Sequence, residues 1–565
     1  MISIWRTRTY TRRKIRLYAG KKGETVLNHS QRLLALLVLA LVSPAGFAQG
    51  AQVDLLIRNA QVIDGTGSPW FRSDIAIDAG RIVGVGVALE VDARQTIDAA
   101  GRTVAPGFID VHTHVESSDS RDGLQRLPRA DNYLLDGVTT IVTGNCGSSE
   151  TDIAAWNDSL VGLGINVATL VGHNSIRRAV IGLDNRAPTE EELQQMRSLV
   201  DQAMRDGAVG FSTGLLYVPG TYAKTEEVIS LAEVAARHGG VYASHIREQG
   251  EKLHDSIDEA VRVGREANMP VQISHFKIKG RTRWGSIGEA IELVESYRRQ
   301  GVDVVIDAYP YERASTNLGV NLPRWAVAGG AAEIAARIRD SDTHARIVGD
   351  MKAMLDDGGY PDYSFATVAQ YRPDPTYNGR TISEINRLIE RPATTDAEIE
   401  TILDMMIDGG EAGSIYGASM IYHYMSMEDV DTILRYPNAA VASDGTIMEF
   451  GRGQPHPRSY GTNARVLGDF VRDRQVLTLE DAVRRMTSLP ARTFSFLDRG
   501  IIRPGFIADL VLFDPATVAD KATFEDPHQY SVGFDYVIVN GVAVVAEGIM
   551  TDERPGLFIK GTGAN

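Results

Sequence analysis

The sequence predicts an α/β protein: a TIM (β/α)8 barrel, a small β-sandwich domain built from both ends of the mature chain, and an insertion before the last barrel strand. Three observations carry this expectation. The middle of the 565-residue chain alternates apolar β-branched runs with amphipathic stretches such as EEVISLAEVAARHG and IGEAIELVESYRRQG, the pattern of βαβ units around a parallel sheet. Eight apolar runs fall at 104–112, 138–144, 165–172, 208–213, 240–245, 270–275, 302–308 and 439–444, and eight β/α units over this length fit a closed barrel. Short strands separated by turns occupy both ends of the chain.

The first segment is a basic leader. Residues 33–42 read LLALLVLALV, followed by Ser43-Pro44 and the small-x-small triplet Gly46-Phe47-Ala48. A membrane-spanning helix needs roughly 20 apolar residues, so this shorter run predicts the core of a signal peptide cleaved after Ala48. Residues 1–48 are therefore set apart from the fold, and the mature protein is expected to be exported, periplasmic or secreted. The stretch before the run carries nine Lys or Arg and one Glu, long for such a leader. Thr11-Arg12-Arg13 resembles a twin-arginine signal but lies far from the apolar run, and a translation start near Val26 is the competing reading.

Without the leader, 49 Lys and Arg face 72 Asp and Glu, a net charge of −23. So acidic a chain is ill suited to bind nucleic acid or an anionic membrane. Cys146 is the single cysteine, so no intrachain disulfide can form.

Residues 49–104 supply the N-terminal part of the β-domain in DLLIRNAQVID, SDIAIDAGRIVGVG and QTIDAAGRTVAPG, and residues 497–565 the C-terminal part in ADLVLFD and YVIVNGVAVVAEGI. The barrel is expected over 105–496. About 130 residues separate its seventh and eighth strands, far beyond an ordinary loop, which places a partly helical insertion at about 325–435 and makes it the candidate lid.

In a barrel of this kind, reactive groups sit where strands end. The first strand ends PGFIDVHTH, and because residues i and i+2 of a strand share a face, His112 and His114 can reach one ion. The second ends TGNCG with Cys146, the fifth YASHIRE with His245, the sixth VQISHFK with His275, and the eighth VASDG with Asp444. Any one of these residues is ordinarily structural; five strands each ending in a metal-ligand type point to a metal centre. Thiolate with imidazoles suits Zn2+, with a carboxylate as a further donor. His173 ends the third strand in LVGHNS and leaves two roles open, orienting substrate or bonding within the barrel mouth. Asp110 is expected to anchor the first-strand turn or support a ligand histidine.

With PGFIDVHTH, TGNCG, FSTGLLYVPG, SHIRE, SHFK, DAYPY, SDG and HPRSYG in place, the chain resembles the N-acyl-D-amino-acid deacylases (D-aminoacylases) of the amidohydrolase superfamily over essentially everything after the leader. The narrower signature is a cysteine on strand two in place of a carboxylated lysine on strand four, and strand four here, AVGFST, offers no lysine. The resemblance implies a tight zinc site at Cys146, His245 and His275. It implies a second, often weaker site at His112, His114 and Asp444, with Cys146 as a bridge, and leaves open whether one or two metals bind. It also implies Asp444 as general base, Lys277, Tyr309 and Arg458 as holders of the substrate's α-carboxylate, and Tyr217 beside the bound substrate. The implied reaction is zinc-dependent hydrolysis of N-acyl-D-amino acids to a carboxylate and a free D-amino acid.

Three alternatives stand beside it. A dipeptidase cleaving L-Xaa-D-Xaa peptides would use the same metal site. Gly210-Phe211-Ser212-Thr213-Gly214 matches the GxSxG serine-hydrolase elbow, but LLYVPGT follows it where that motif needs an immediate helix. A non-catalytic zinc or ligand-binding protein would leave Asp444 and the carboxylate anchors without a purpose. Side-chain preference is not legible: Arg313 and Arg324, in the loop after Tyr311, fit either selection of acidic side chains or an ordinary surface charge.

Overall fold

The computed structural model describes residues 52–116 and 122–564; the expected signal segment lies outside them. Eight parallel strands form the barrel: Phe108–Asp110, Val138–Thr143, Asn166–Thr169 (resumed as Val171–Gly172), Gly210–Gly214, Val241–His245, Val271–Ile273, Val304–Ala308 and Ala439–Val441. The ring closes beyond the first and last strands, where Gly445–Thr446 pairs in parallel with Thr113–His114 and the Asp444 amide donates to the His112 carbonyl at 2.8 Å.

These strands read as near-continuous apolar runs because both of their faces are covered. Ile109, Val111, Val142, Ala168, Ala243, Val305 and Ala440 form one buried cluster, capped by Leu489, Phe494 and Phe496. Phe108, Ile141, Val167, Phe211, Tyr242, Ile273 and Ile306 belong to another, shared with helix residues such as Val200, Leu231, Ile257 and Val294. The two-residue period of a strand sorts the side chains between these clusters. Helix Glu190–Asp206 starts with a capping box between Thr189 and Glu192, which satisfies amide groups that the first turn leaves unpaired.

The β-domain is one nine-stranded sheet drawn from both termini. Its order runs Ile549–Met550, Val542–Ala546, Phe534–Val539, Leu510–Phe513, Thr103–Pro106, Gln52–Val62, Phe71–Asp78, Arg81–Gly86, with Asp92–Asp98 also paired to Gln52–Val62. Leu55, Ile57, Ile75, Ile77, Ile82, Ile97, Leu510, Leu512 and Ile538 form its core.

The insertion folds around its own core, which includes Leu318, Ile334, Met351, Ile402, Met406 and Tyr422. Strands Arg313–Asn317, Ser419–His423 and Ala366–Gln370 make an antiparallel sheet with Ser419–His423 in the middle, accompanied by helices Ala331–Arg339, Ser341–Gly358, Ile382–Leu388 and Thr395–Glu411. The inserted sheet begins at Arg313, ahead of residue 325, because RASTN pairs with a strand about a hundred residues later. Helix Met427–Arg435 packs beside Ile287–Arg299 and the eighth barrel strand, so it belongs to the barrel.

Candidate active site

The strand ends converge on the barrel mouth, and the backbone there is unusual. Cys146, His275 and Asp444 all have positive φ, at 52°, 37° and 51°. Such conformations cost about 1–3 kcal/mol each for residues other than glycine and persist where the surroundings impose them. The thiol sits in the turn Gly144-Asn145-Cys146-Gly147. Gly144 and Gly147 have φ of 75° and 76°, and a Cβ at Gly147 would lie 2.4 Å from Asn174 Oδ1. Only glycine fits there without displacing Asn174.

Ser212 explains how this turn is held, and it overturns the serine-nucleophile alternative. The residue lies within strand Gly210–Gly214, not at a strand-to-helix elbow. Its hydroxyl donates to the Gly144 carbonyl and accepts from the Gly147 amide at 3.1 Å.

The structure brings all six candidate ligands together. Cys146 Sγ lies 3.4 Å from His112 Nε2, 3.5 Å from His245 Nδ1 and 3.5 Å from His275 Nε2. His245 Nδ1 and His275 Nε2 are 2.7 Å apart. Asp444 Oδ1 lies 3.0 Å from His114 Nε2 and 3.5 Å from His112 Nε2. Ligand atoms of His112, Cys146 and His275 fall within 4.8 Å of one another, as do those of His112, His114 and Asp444. His112 thus borders both groups.

The donor set fits zinc. Tetrahedral Zn–S and Zn–N bonds put sulfur and nitrogen about 3.5 Å apart, the spacing found around Cys146. Burial pushes the Cys146 thiol up, but the surrounding imidazoles, His112 foremost, outweigh it and hold it well below the usual thiol range. Burial raises Asp444 as well, yet Arg458, His112 and His114 keep it well below the ordinary carboxylate value. Burial depresses His275 and His245, the direction that favours the neutral form ligation requires. At His112, by contrast, burial is outweighed by Asp307, Cys146 and Asp444, which raise it well above the usual histidine value. At His114 burial is outweighed by Asp444 and Cys146, which raise it to about 9. A buried cluster with a thiolate and a carboxylate needs a cation, and a metal ion answers that need without protonating the ligands.

The predicted substrate-holding residues line the same cavity of about 370 Å³. Arg458, only 5% exposed, pairs through Nη1 with Asp444 Oδ2 at 2.9 Å and lies over the Tyr309 ring at 4.7 Å. Lys277 Nζ donates to the His275 carbonyl at 2.7 Å; burial and Arg458 outweigh Asp444 and lower it to about 7. Tyr217 packs edge-on against His245 with ring centres 4.7 Å apart, and its hydroxyl meets Thr316 Oγ1 at 3.1 Å. An adjoining cavity of about 320 Å³ shares Tyr217, Lys279, Tyr416 and Tyr424 and is also lined by Tyr360, Arg283 and Arg324.

Other residues singled out in the sequence prove to be braces. His173 is buried against Glu227, with Nε2 2.9 Å from its carboxylate, and does not line the catalytic cavity. His456 accepts from the Arg458 amide at Nδ1, so its Nε2–H donates to the Arg313 carbonyl at 2.9 Å, tying the anchor to the insertion. Asp110 accepts from the His112 and Ser443 amides at 3.1 Å, so it fixes the first-strand turn rather than an imidazole. Arg313 stacks on Phe524 at 4.2 Å, whereas Arg324 reaches the adjoining cavity and donates to the Arg247 carbonyl at 2.5 Å.

The sequence reading passed over Asp307 and Gln249. Gln249 Nε2 reaches His275 Nδ1 at 3.2 Å, and the Asp307 carboxylate lies between His112 and His275. Asp307 was visible only as the first residue of DAYPY, at the end of the seventh strand.

Comparison with known proteins agrees with this geometry. A profile described as the amidohydrolase family matches residues 95–545. The D-aminoacylase of Alcaligenes xylosoxydans xylosoxydans is 34% identical over 546 residues, covering 90% of this chain and 98% of that one. The N-acyl-D-glutamate deacylase of the same organism is 32% identical, with 90% and 97% covered. Among solved structures, N-acyl-D-glutamate deacylase from Bordetella bronchiseptica, complexed with zinc and a phosphonate mimic of the tetrahedral intermediate, superposes with a TM-score of 0.74 at 33% identity, covering 90% of this chain and all of that one. A D-aminoacylase described as having a binuclear metal centre superposes with a TM-score of 0.75 at 33% identity over the same shares. The chain belongs to the amidohydrolase family, and within it to the N-acyl-D-amino-acid deacylases.

Proposed function

We propose that the protein is a zinc-dependent deacylase that hydrolyses the amide bond of N-acyl-D-amino acids, releasing a carboxylate and a free D-amino acid. The observation that carries this reading is the placement of Arg458, Lys277 and Tyr309 in one cavity with Cys146, His114, His245, His275 and Asp444. A bound metal there supplies Lewis acidity and a hydroxide nucleophile at neutral pH.

Cys146, His245 and His275 would hold a tight ion, and His112, His114 and Asp444 a weaker one. The substrate's α-carboxylate enters between Arg458 and Lys277. Arg458 offers a planar fork of donors and Lys277 a point charge, while the Tyr309 ring under both fixes their positions. Tyr217 closes the far side of the amide. Asp444 Oδ1 faces the His ligands and Oδ2 faces Arg458, so one carboxylate borders both the attacking water and the anchored substrate. It takes the proton of the water as the amide carbon is attacked, then returns it to the leaving amine. The adjoining cavity leaves room for a substrate substituent.

The leader sequence supports export, with the periplasm as the working compartment, and among the described residues no helix is long and apolar enough to cross a membrane. Asp444→Asn tests the mechanism. It is expected to retain the ion at Cys146, His245 and His275 and lose activity by on the order of 10²–10⁴-fold; full activity in this variant would overturn the reading.

A further inference from the structure

The strongest unassigned group is Asp307, near the end of strand Val304–Ala308. Its side chain is 1% exposed and faces three others. Oδ1 accepts from the His275 amide at 2.6 Å, Oδ2 accepts from Gln272 Nε2 at 2.7 Å, and His112 Nδ1 lies 3.3–3.4 Å from the two oxygens. Asp307 belongs to neither cluster of converging ligand atoms.

We propose that Asp307 is the positioning residue of the metal centre, fixing which nitrogen of His112 serves as ligand and holding His275 in its left-handed turn. The inference rests on the metal-centre reading above. An ionised carboxylate accepts hydrogen bonds and donates none, and a neutral imidazole has one N–H and one lone pair. With a metal on Nε2, the one remaining proton of His112 sits on Nδ1 against Asp307, and Nε2 is the atom that lies 3.4 Å from Cys146 and 3.5 Å from Asp444. Were the proton on Nε2, the ring would donate to the Cys146 thiolate and be lost as a ligand. Second, the His275 backbone, at φ 37°, donates its amide to Asp307 Oδ1 at 2.6 Å in the turn that places its Nε2 beside Cys146. One carboxylate thus governs His112, which borders both ligand clusters, and His275 in one of them. Such partners of metal-ligating histidines orient the ring and set its tautomer.

Asp307→Asn is nearly the same shape and still offers one oxygen to the His275 amide. Its NH2 group, however, confronts Gln272 Nε2 or His112 Nδ1, and in the second case forces the His112 proton onto Nε2. Zinc affinity, read by competition with a chromophoric chelator, is expected to fall roughly 10–100-fold. The melting temperature of the metal-free protein should change much less than the additional stability conferred by zinc. Cobalt-substituted protein should show altered visible bands, a signature that a purely structural role would not move. Asp307→Ala serves as a second variant, assayed below the melting temperature of its own metal-free form. In the double variant with His112→Ala, the affinity losses should be clearly less than additive. Wild-type zinc affinity and cobalt spectrum in a folded Asp307→Asn or Asp307→Ala protein would overturn the proposal, as would strict additivity. Wild-type protein that binds zinc yet cleaves no N-acyl-D-amino acid would overturn the proposed function instead, leaving the zinc competition to decide the role of Asp307.

Discussion

Arg458 is the residue whose replacement separates substrate anchoring from the rest of the site. Its guanidinium is 5% exposed, ion-paired with Asp444 at 2.9 Å and stacked on Tyr309. Truncating one partner of a buried charge pair costs about 2–5 kcal/mol. At ~1.4 kcal/mol per factor of ten, Arg458→Met should lower kcat/KM for an N-acyl-D-amino acid roughly 30- to 4,000-fold. Arg458→Lys should fall between, because the charge survives and the bidentate fork does not. Part of the loss in Arg458→Met comes from leaving Asp444 without its partner, which affects every substrate. The assay therefore pairs each N-acyl-D-amino acid with its carboxamide, which lacks the α-carboxylate. Only the acid should show the full loss, so the ratio of the two rates isolates the anchor. Equal losses on acid and carboxamide would refute the assignment of Arg458 to the carboxylate.

Cys146→Ala removes the ligand common to the thiolate contacts, so zinc measured on purified protein should drop beyond the roughly 10–100-fold that loss of an outer-sphere partner causes, with activity falling alongside; an active, zinc-replete variant would contradict this. Lys277 is held at about 7 in the fold against 10.5 for a free lysine, so its charge is present below pH 7 and lost above it. Attraction for a carboxylate weakens in the same direction, and kcat/KM should decline through pH ~7 to 8, whereas Lys277→Met should lack that limb of the profile. The linked stability change has the opposite sign: the unfolded chain binds the extra proton between pH 7 and 10.5, so Lys277 favours the fold more as pH rises. A melting series across that range separates the two effects.

What the sequence made legible followed from short-range rules. The two-residue period of a strand put His112 and His114 on one face, and the habit of barrels to react at strand ends marked Cys146, His245, His275 and Asp444. Gly144 and Gly147 in TGNCG both have the positive φ of a tight turn. Long-range pairing was not legible. Nothing near Arg313 in the chain reveals that its strand pairs with His423 and its neighbours, so the start of the insertion was hidden. Nor does HPRSYG show that Arg458 rests on Asp444, because that contact depends on how the eighth strand and the following helix meet. Sequence spoke against Ser212 as a nucleophile but could not show what it does: its hydroxyl bonds to Gly144 and Gly147, far away in sequence. Asp307 escaped notice because an aspartate at a strand end acquires its role only when strands one and six are laid beside it.

In this mechanism, ligands gathered from separate strand ends hold a zinc ion that hydrolyses N-acyl-D-amino acids. Titrating zinc into metal-free protein, while following hydrolysis of N-acetyl-D- and N-acetyl-L- forms of a panel of amino acids, tests it directly. Cleavage of D-forms should appear in step with zinc bound at the first, tight site, and the L-forms should stay intact. Hydrolysis by the metal-free protein, or fully zinc-loaded protein that leaves every N-acyl-D-amino acid uncut, would contradict the account.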